Sequence, residues 1–426
     1  MAGKGSRRRR SSPSVKPVRE SISMPSLRTL LMGGGFAVLA LLAARNGAGH
    51  VLANPAPDTA LRIDGTNGRA LANKATALLM REDISETVSE SAALSHRALI
   101  HDPLNPEAAR NMGVEAAARE KFDLSSRWIA LSSEISRRDI VTQAMIFAEA
   151  SQRNDPGLTI QSADILMRQS SDSWPGVTKS LVKKIADPAF VPPLIRTLSR
   201  NPTWRGPFLS AMGSAVNPLD RARQVLEGVA RSPYPPKTEE VTTYLIRLEE
   251  QADAKTMWQQ WVLLGGKPYA SQLLRDGELN GLNAPWPYVW RLFPKDDVVS
   301  ELAPRPMGKG KALYVSYDGR KVVNFAQQKL NLAAGDYFLL FETLAEQQAG
   351  AEIAFAGIKC GLISSGHVIA KSQFKSNEED WAKSALRFVV PAGCDGQYLW
   401  FGTEYTPRGE GASYWIDNVR IVPAHR

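Results

Sequence analysis

The sequence predicts a multidomain chain: a single transmembrane helix, then an all-α helical-hairpin solenoid, then an all-β antiparallel sandwich of jelly-roll type. Three observations predict it. An uncharged run of 16 residues, Thr29 to Ala44, lies between Arg28 and Arg45. From about Ala70 to Gly265 apolar residues recur at three and four spacing, with Pro-containing breaks between the segments. Beyond Gly265-Gly266-Lys267-Pro268, apolar residues alternate with period two in a series of short runs separated by turns.

The N-terminal elements follow from charge. The chain carries 52 Lys and Arg against 43 Asp and Glu, a net +9. Residues 1–28 hold eight of the basic residues and one acid, Glu20, so only +2 remains for everything after them. The folded part is therefore close to neutral, which excludes a nucleic-acid partner as the reason for the basic balance. The run at 29–45 is short for a spanning helix, which wants about 20 apolar residues, and long for a secretory core of about 7 to 15. Snorkelling by the flanking arginines lengthens it, and the retained basic tail orients it. The expectation is an uncut inner-membrane anchor, single pass, with a disordered cytoplasmic tail at 1–28, a linker at 46–65 and the bulk of the chain periplasmic. Cleavage after Ala53 is the alternative.

The helical region, taken as 66–266, is punctuated by Asp102-Pro103-Leu104-Asn105-Pro106, Asn154-Asp155-Pro156-Gly157, Ser173-Trp174-Pro175-Gly176 and Asp187-Pro188. Proline is tolerated in the first turn of a helix and not inside it, so each cluster ends one helix and starts the next. Starts near Ala72, Pro106, Asp139 and Pro175 are spaced by 34, 33 and 36 residues, the period of stacked helix pairs. The stretch HRALIHDPLNPEAARNMGVEAAAREKFDLSSRWIALSSEI resembles the tetratricopeptide repeat, with Gly113 near the middle of an Ala-rich helix, although the aromatic anchor positions are mostly absent. Such stacks leave a surface that holds peptides or proteins, so an envelope protein partner is expected there.

In the last third the alternating runs include Leu313-Val315-Tyr317, Tyr337-Leu339-Phe341, Leu386-Phe388-Val390 and Leu399-Phe401. Many short strands in about 150 residues read as a sandwich. The stretch AQQKLNLAAGDYFLLFET resembles the central strands of the sandwich-type carbohydrate-binding modules attached to bacterial glycanases. RDGELNGLNAPWPYVW is similar to their opening motif, Trp381 to Phe388 to their Trp-then-Phe strand, and YWIDNVRIV to their final strand. The ordered set spans 275–423 of a domain taken as 272–426. The resemblance implies a glycan ligand, and a structural calcium held by positions that here are Asn280 and Asp417. The amide at Asn280 removes a charge from that site, so no metal is expected, and Asp417-Asn418 reads as a bulge in the last strand.

Sugar recognition needs flat aromatic faces with polar groups around the rim. The candidates are Trp286, Trp400 and Tyr405 as platforms and Glu404 and Arg408 as rim groups, whereas Trp290, Trp381 and Trp415 fall at core or seam positions. Burial of all three platforms would favour a docking domain; two lying coplanar in one cleft would favour sugar. Cys360 and Cys394, the only two cysteines, are either one disulfide of an exported domain or two buried thiols. The five histidines are scattered, none at ligand spacing from a cysteine. No nucleophile elbow, zinc motif or phosphate loop occurs, and the pairs Asp296-Asp297 and Glu378-Glu379 read as solvated turns. The expectation is a non-enzymatic periplasmic scaffold without cofactor, with polysaccharide as ligand, assisting polysaccharide assembly or export. The competing expectation is a protein–protein scaffold with no sugar ligand.

Overall fold

The computed structural model describes residues 43–81, 84–295, 298–318, 321–347, 354–361, 366–373, 377–404 and 411–424. The basic tail at 1–28 and nearly all of the apolar run at 29–45 lie outside them. No helix among the described residues is long and apolar enough to cross a membrane. The described chain falls into two compact units that divide between Asp139 and Ile140.

The first unit is helical. Within 46–65, expected as a linker, the backbone is helical over 43–52 and Pro57–Ile63, and Ala53 and Ala60 pack with Ala70. Helix Gly68–Leu79 packs on Ile84–His101, and Pro106–Ala118 on Phe122–Ile135. The Pro106 helix starts where the sequence places it: Asn105 accepts a hydrogen bond from the Ala108 N–H, and Pro106 sits at the first turn where its missing N–H costs nothing. The contacts between helices are made by small side chains, Ala72, Ala98 and Ala108 among them. A Cβ at Gly113 would lie 2.8 Å from Ile129 Cδ1, so only glycine lets these two helices approach so closely. Polar groups add to the unit: Arg110 Nη1 donates to both carboxylate oxygens of Asp139 at 2.7 Å and its Nη2 to Thr76, the arginine and aspartate side chains being nearly sealed from water, and Asn111 reaches back to Thr76 and the Ala72 carbonyl. Paired helices are thus present, and alanine contacts and this polar network hold them together.

The second unit joins the remaining helices to a β-sandwich. Its helical core gathers Leu181, Leu194, Phe208, Met212, Leu226, Tyr244 and Trp261, and extends into the segment before the first strand through Ala284 and Tyr288. The sandwich consists of β1 (Arg291–Leu292), β2 (Val298–Pro304), β3 (Lys311–Tyr317), β4 (Val323–Leu330), β5 (Gly335–Gln347), β6 (Ala354–Cys360), β7 (His367–Gln373), β8 (Ala382–Val390), β9 (Gln397–Thr403) and β10 (Ala412–Pro423). They form two antiparallel sheets, ordered β1-β4-β9-β6-β7 and β2-β3-β10-β5-β8. Alternation supplies the core: Leu313, Val315, Leu339, Phe341, Phe388, Leu399, Phe401 and Ile416 all point between the sheets. Cys360 and Cys394 are joined in a disulfide with Cα atoms 5.6 Å apart, tying the end of β6 to the loop before β9.

Candidate binding face

One face of each sheet turns away from the core, and the register of the first sheet fixes what that face carries. Arg291 on β1 lies opposite Gln327 on β4, Gln327 opposite Trp400 on β9, Trp400 opposite Gly357 on β6, and Gly357 opposite Lys371 on β7. Residues directly opposite each other in a ladder project to the same side. The core residues Ala326, Leu399, Phe401, Ala356 and Ile358 occupy the alternate positions, so this row crosses all five strands on the outer face. A neighbouring row runs Asn324, Gly402, Phe355, Gln373.

Trp400 lies flat on the strands. A Cβ at Gly357 would come within 2.4 Å of its ring, and Lys359 Nζ sits 5.1 Å from its centroid. It is 4% exposed and therefore offers no open platform. Trp286 is also buried, and for a different reason. Its Nε1 donates to Glu249 Oε2 at 3.1 Å, on helix Thr238–Gln251, and Lys329 Nζ reaches Glu249 Oε1 at 3.1 Å while lying over Tyr398. Burial pushes the Glu249 carboxyl above the usual value, and the ammonium of Lys329 and the indole N–H of Trp286 oppose that rise. The helix thus covers the Lys329–Tyr398 end of the face, and Trp286 is the plug between helix and sheet. The two tryptophans form no coplanar pair.

Of the remaining sequence candidates, Glu404 is exposed and forms an ion pair with Lys371, while Tyr405 and Arg408 lie outside the described residues. Asp417 is buried beneath a guanidinium: Arg305 pairs with Asp417 and with Glu342 at 3.0 Å, and its plane lies 4.1 Å from the Trp381 ring centre. Asn280 instead accepts from the Lys311 N–H. An arginine of the chain itself supplies the positive charge beside Asp417, and no group of metal-ligating side chains occurs among the described residues. The backbone at Asp417-Asn418 does bulge, with a register shift before Arg420 and Asn418 at φ 50°. Trp290 stacks on Phe401, and Trp415 packs on Tyr314 and donates to Glu346. Glu379 lies in an exposed turn capped by Asn377, and Asp296-Asp297 fall outside the described residues.

The open part of the face is a hollow of about 500 Å³ at the β1–β4 end, lined by Arg291, Phe293, Lys295, Asn324 and Gln327 with Val322 and Val323. Gln327 is 5% exposed, and its amide lines the hollow with no hydrogen-bond partner among the described residues while staying open to solvent. Arg291 is exposed and held between two rings, with Trp286 at 5.3 Å and Phe293 at 5.0 Å. An aromatic side chain, two amides and a stacked guanidinium in one concavity can bond several hydroxyls while packing against an apolar ring face. None of these residues stands among the platforms and rim groups read from the sequence. Their signal is positional, since they stand opposite or beside Trp400 on the outer register of β4 and β1.

No family model matches this sequence, and no curated protein matches it either. Among solved structures, the chain is similar to the enzymatically active domain of bacteriophage CBA120 tailspike protein 4, at 17% identity and a TM-score of 0.26, over 36% of this chain and 21% of that one. It is similar to a CBM4 carbohydrate-binding module at 14% identity and a TM-score of 0.27, over 35% of this chain and 99% of that one. A xylan-binding domain of CBM22 gives 14% identity and a TM-score of 0.24, over 32% and 88%. The chain spans about a fifth of the tailspike domain. Likenesses of this size carry no argument about ligand, which stays with the residues on the sheet.

Proposed function

We propose that the protein is a non-catalytic, membrane-anchored component of a bacterial envelope in which the outer face of the first sheet binds glycan. In this reading the N-terminal anchor leaves residues 1–28 in the cytoplasm and the folded part in the periplasm, and the tetratricopeptide-like helices hold a protein of the machinery that assembles or exports the polysaccharide. The sugar half is carried by one observation: the Gln327 amide opens on the hollow beside Asn324 and Phe293 with no protein partner among the described residues. Exchanging water on that amide for a ligand hydroxyl gains about 0.5–1.5 kcal/mol per hydrogen bond, and a hydroxyl-rich ligand supplies several such partners.

Titration of the full chain, purified in mild detergent, against envelope and secreted glycans tests this. Binding is expected, with the double variant N324A/Q327A weakened about tenfold, as loss of one or two net hydrogen bonds implies. Failure to bind any glycan removes the sugar half. Protease protection in intact spheroplasts tests the sidedness, with the C terminus expected to be accessible before lysis.

The burial of Trp286 beneath helix Thr238–Gln251 favours a second reading, a scaffold whose sandwich serves only to dock against its own helices and partner proteins. Under it, N324A/Q327A would leave every interaction of the protein unchanged.

A further inference from the structure

The ions around the hollow are unevenly balanced. Across the row on the outer face, Lys371 is neutralised by Glu404, and next to the row Lys329 is neutralised by Glu249. At the β1–β4 end, Arg291 and Lys295 form no ion pair among the described residues and no carboxylate lines the hollow, although the charge of Glu249, already paired with Lys329, is felt by Arg291. We infer that the glycan this face accepts is acidic, a polyuronate whose carboxylate pairs with Arg291; this rests on the glycan reading above.

The geometry is that of a prepared receptor. A guanidinium presents two parallel N–H groups that match the two oxygens of a carboxylate, and most of its cost in binding is the ordering of a long side chain. Contact with the Trp286 and Phe293 rings has already restricted Arg291, and its guanidinium N–H groups have no acceptor among the described residues. Gln327 stands directly across from it in the ladder. Neighbouring strands are about 4.8 Å apart, so a sugar whose carboxylate meets Arg291 brings its ring hydroxyls to the Gln327 amide. Asn324 lies further along β4, and Lys295 adds a second positive charge on the same wall. A neutral glycan would use the amides and leave the paired donors of Arg291 without a carboxylate to match them.

The test is a titration of the full chain with an oligogalacturonate, the same oligomer after carboxyl reduction, and polyglutamate of similar charge, each at low and high salt. The oligogalacturonate is expected to bind at least about tenfold more tightly than its reduced form, to weaken as salt rises, and to exceed polyglutamate. R291Q should lower its affinity about tenfold and R291K recover part of that loss, because lysine restores charge but not the paired donors. The Tm of each variant reports that the fold is intact. Equal affinity for the acidic and reduced oligomers, or an R291Q protein that binds the acid unchanged, overturns the acidic ligand and leaves the glycan reading standing. Polyglutamate binding as tightly as the oligogalacturonate overturns it as well, by showing a surface for any polyanion. Absence of binding to both oligomers and to every neutral glycan overturns the two readings together.

Discussion

Arg275 shows how a single side chain fixes the sandwich to the helices beside it. Its guanidinium is 1% exposed and surrounded by Trp258, Trp261 and Tyr288 at 4.8, 5.5 and 5.6 Å, while its backbone exchanges hydrogen bonds with the Gln328 amide. Burial pulls its pKa down to about 10, so it remains a cation at neutral pH. Desolvation of that cation opposes the attraction of the three rings, so an apolar side chain of similar length is expected to serve nearly as well: R275M should change stability by less than about 1.5 kcal/mol. R275A, which empties the cage, should cost about 3 kcal/mol. Urea denaturation of both variants checks this, and equal losses would refute it. Glu342 offers a test by pH. Burial alone would raise its carboxyl, but the hydrogen bond from Asn418 Nδ2 at 2.6 Å and the Arg305 guanidinium outweigh burial and hold it below the usual value. A carboxyl depressed by folding stabilises above its unfolded pKa, near 4.3, and loses that contribution as pH falls through the lowered value. The stability gap between wild type and R305Q should therefore be widest near pH 7 and narrow below about pH 4. A gap independent of pH would show that Arg305 acts through packing on Trp381 alone.

At the level of elements, much was legible because each signal is local. Proline at a first turn marks the starts of Pro106–Ala118 and Trp174–Lys184, and the side chains of Asn105 and Asp155 cap the helices that follow them. Period-two runs mark β3, β5, β8 and β9. What escapes such reading is the far side of a strand. Gln327 and Lys329 belong to a polar run, Gln327-Gln328-Lys329, that looks solvated, yet each is 5% exposed because a helix from elsewhere in the chain and the walls of the hollow surround them. Trp286 illustrates the same limit, since no spacing rule separates an aromatic platform from an aromatic plug. The disulfide makes a prediction at this scale. It closes a loop with a sequence separation of 34, which in the chain-entropy account stabilises by about 3–4 kcal/mol. C394S should lower the urea midpoint by the corresponding amount, and dithiothreitol should do the same to the wild type but leave C394S unaffected. A midpoint insensitive to both treatments would contradict the bonded pair.

At the scale of the molecule, the sandwich is not an independent bead. Trp261 Nε1 donates to the Pro285 carbonyl at 2.6 Å, Lys329 N–H to the Pro287 carbonyl, and Glu249 joins Lys329 to Trp286. Residues 140–426 should therefore fold alone as a cooperative unit. A fragment of residues 272–426 would expose Tyr288, Trp286 and the covered end of the first sheet, and is expected to melt at least about 10 °C lower or to aggregate. Differential scanning calorimetry of the two fragments decides, and matching melting temperatures would refute the shared core. The plug at Trp286 also has a mechanical consequence. A strand of polymer caught at Arg291 would pull on a residue stacked against that plug, and through Glu249 on the helix behind it. Tension from a moving chain would then pass into the helices with little slack, as through a keyed joint and not a tether.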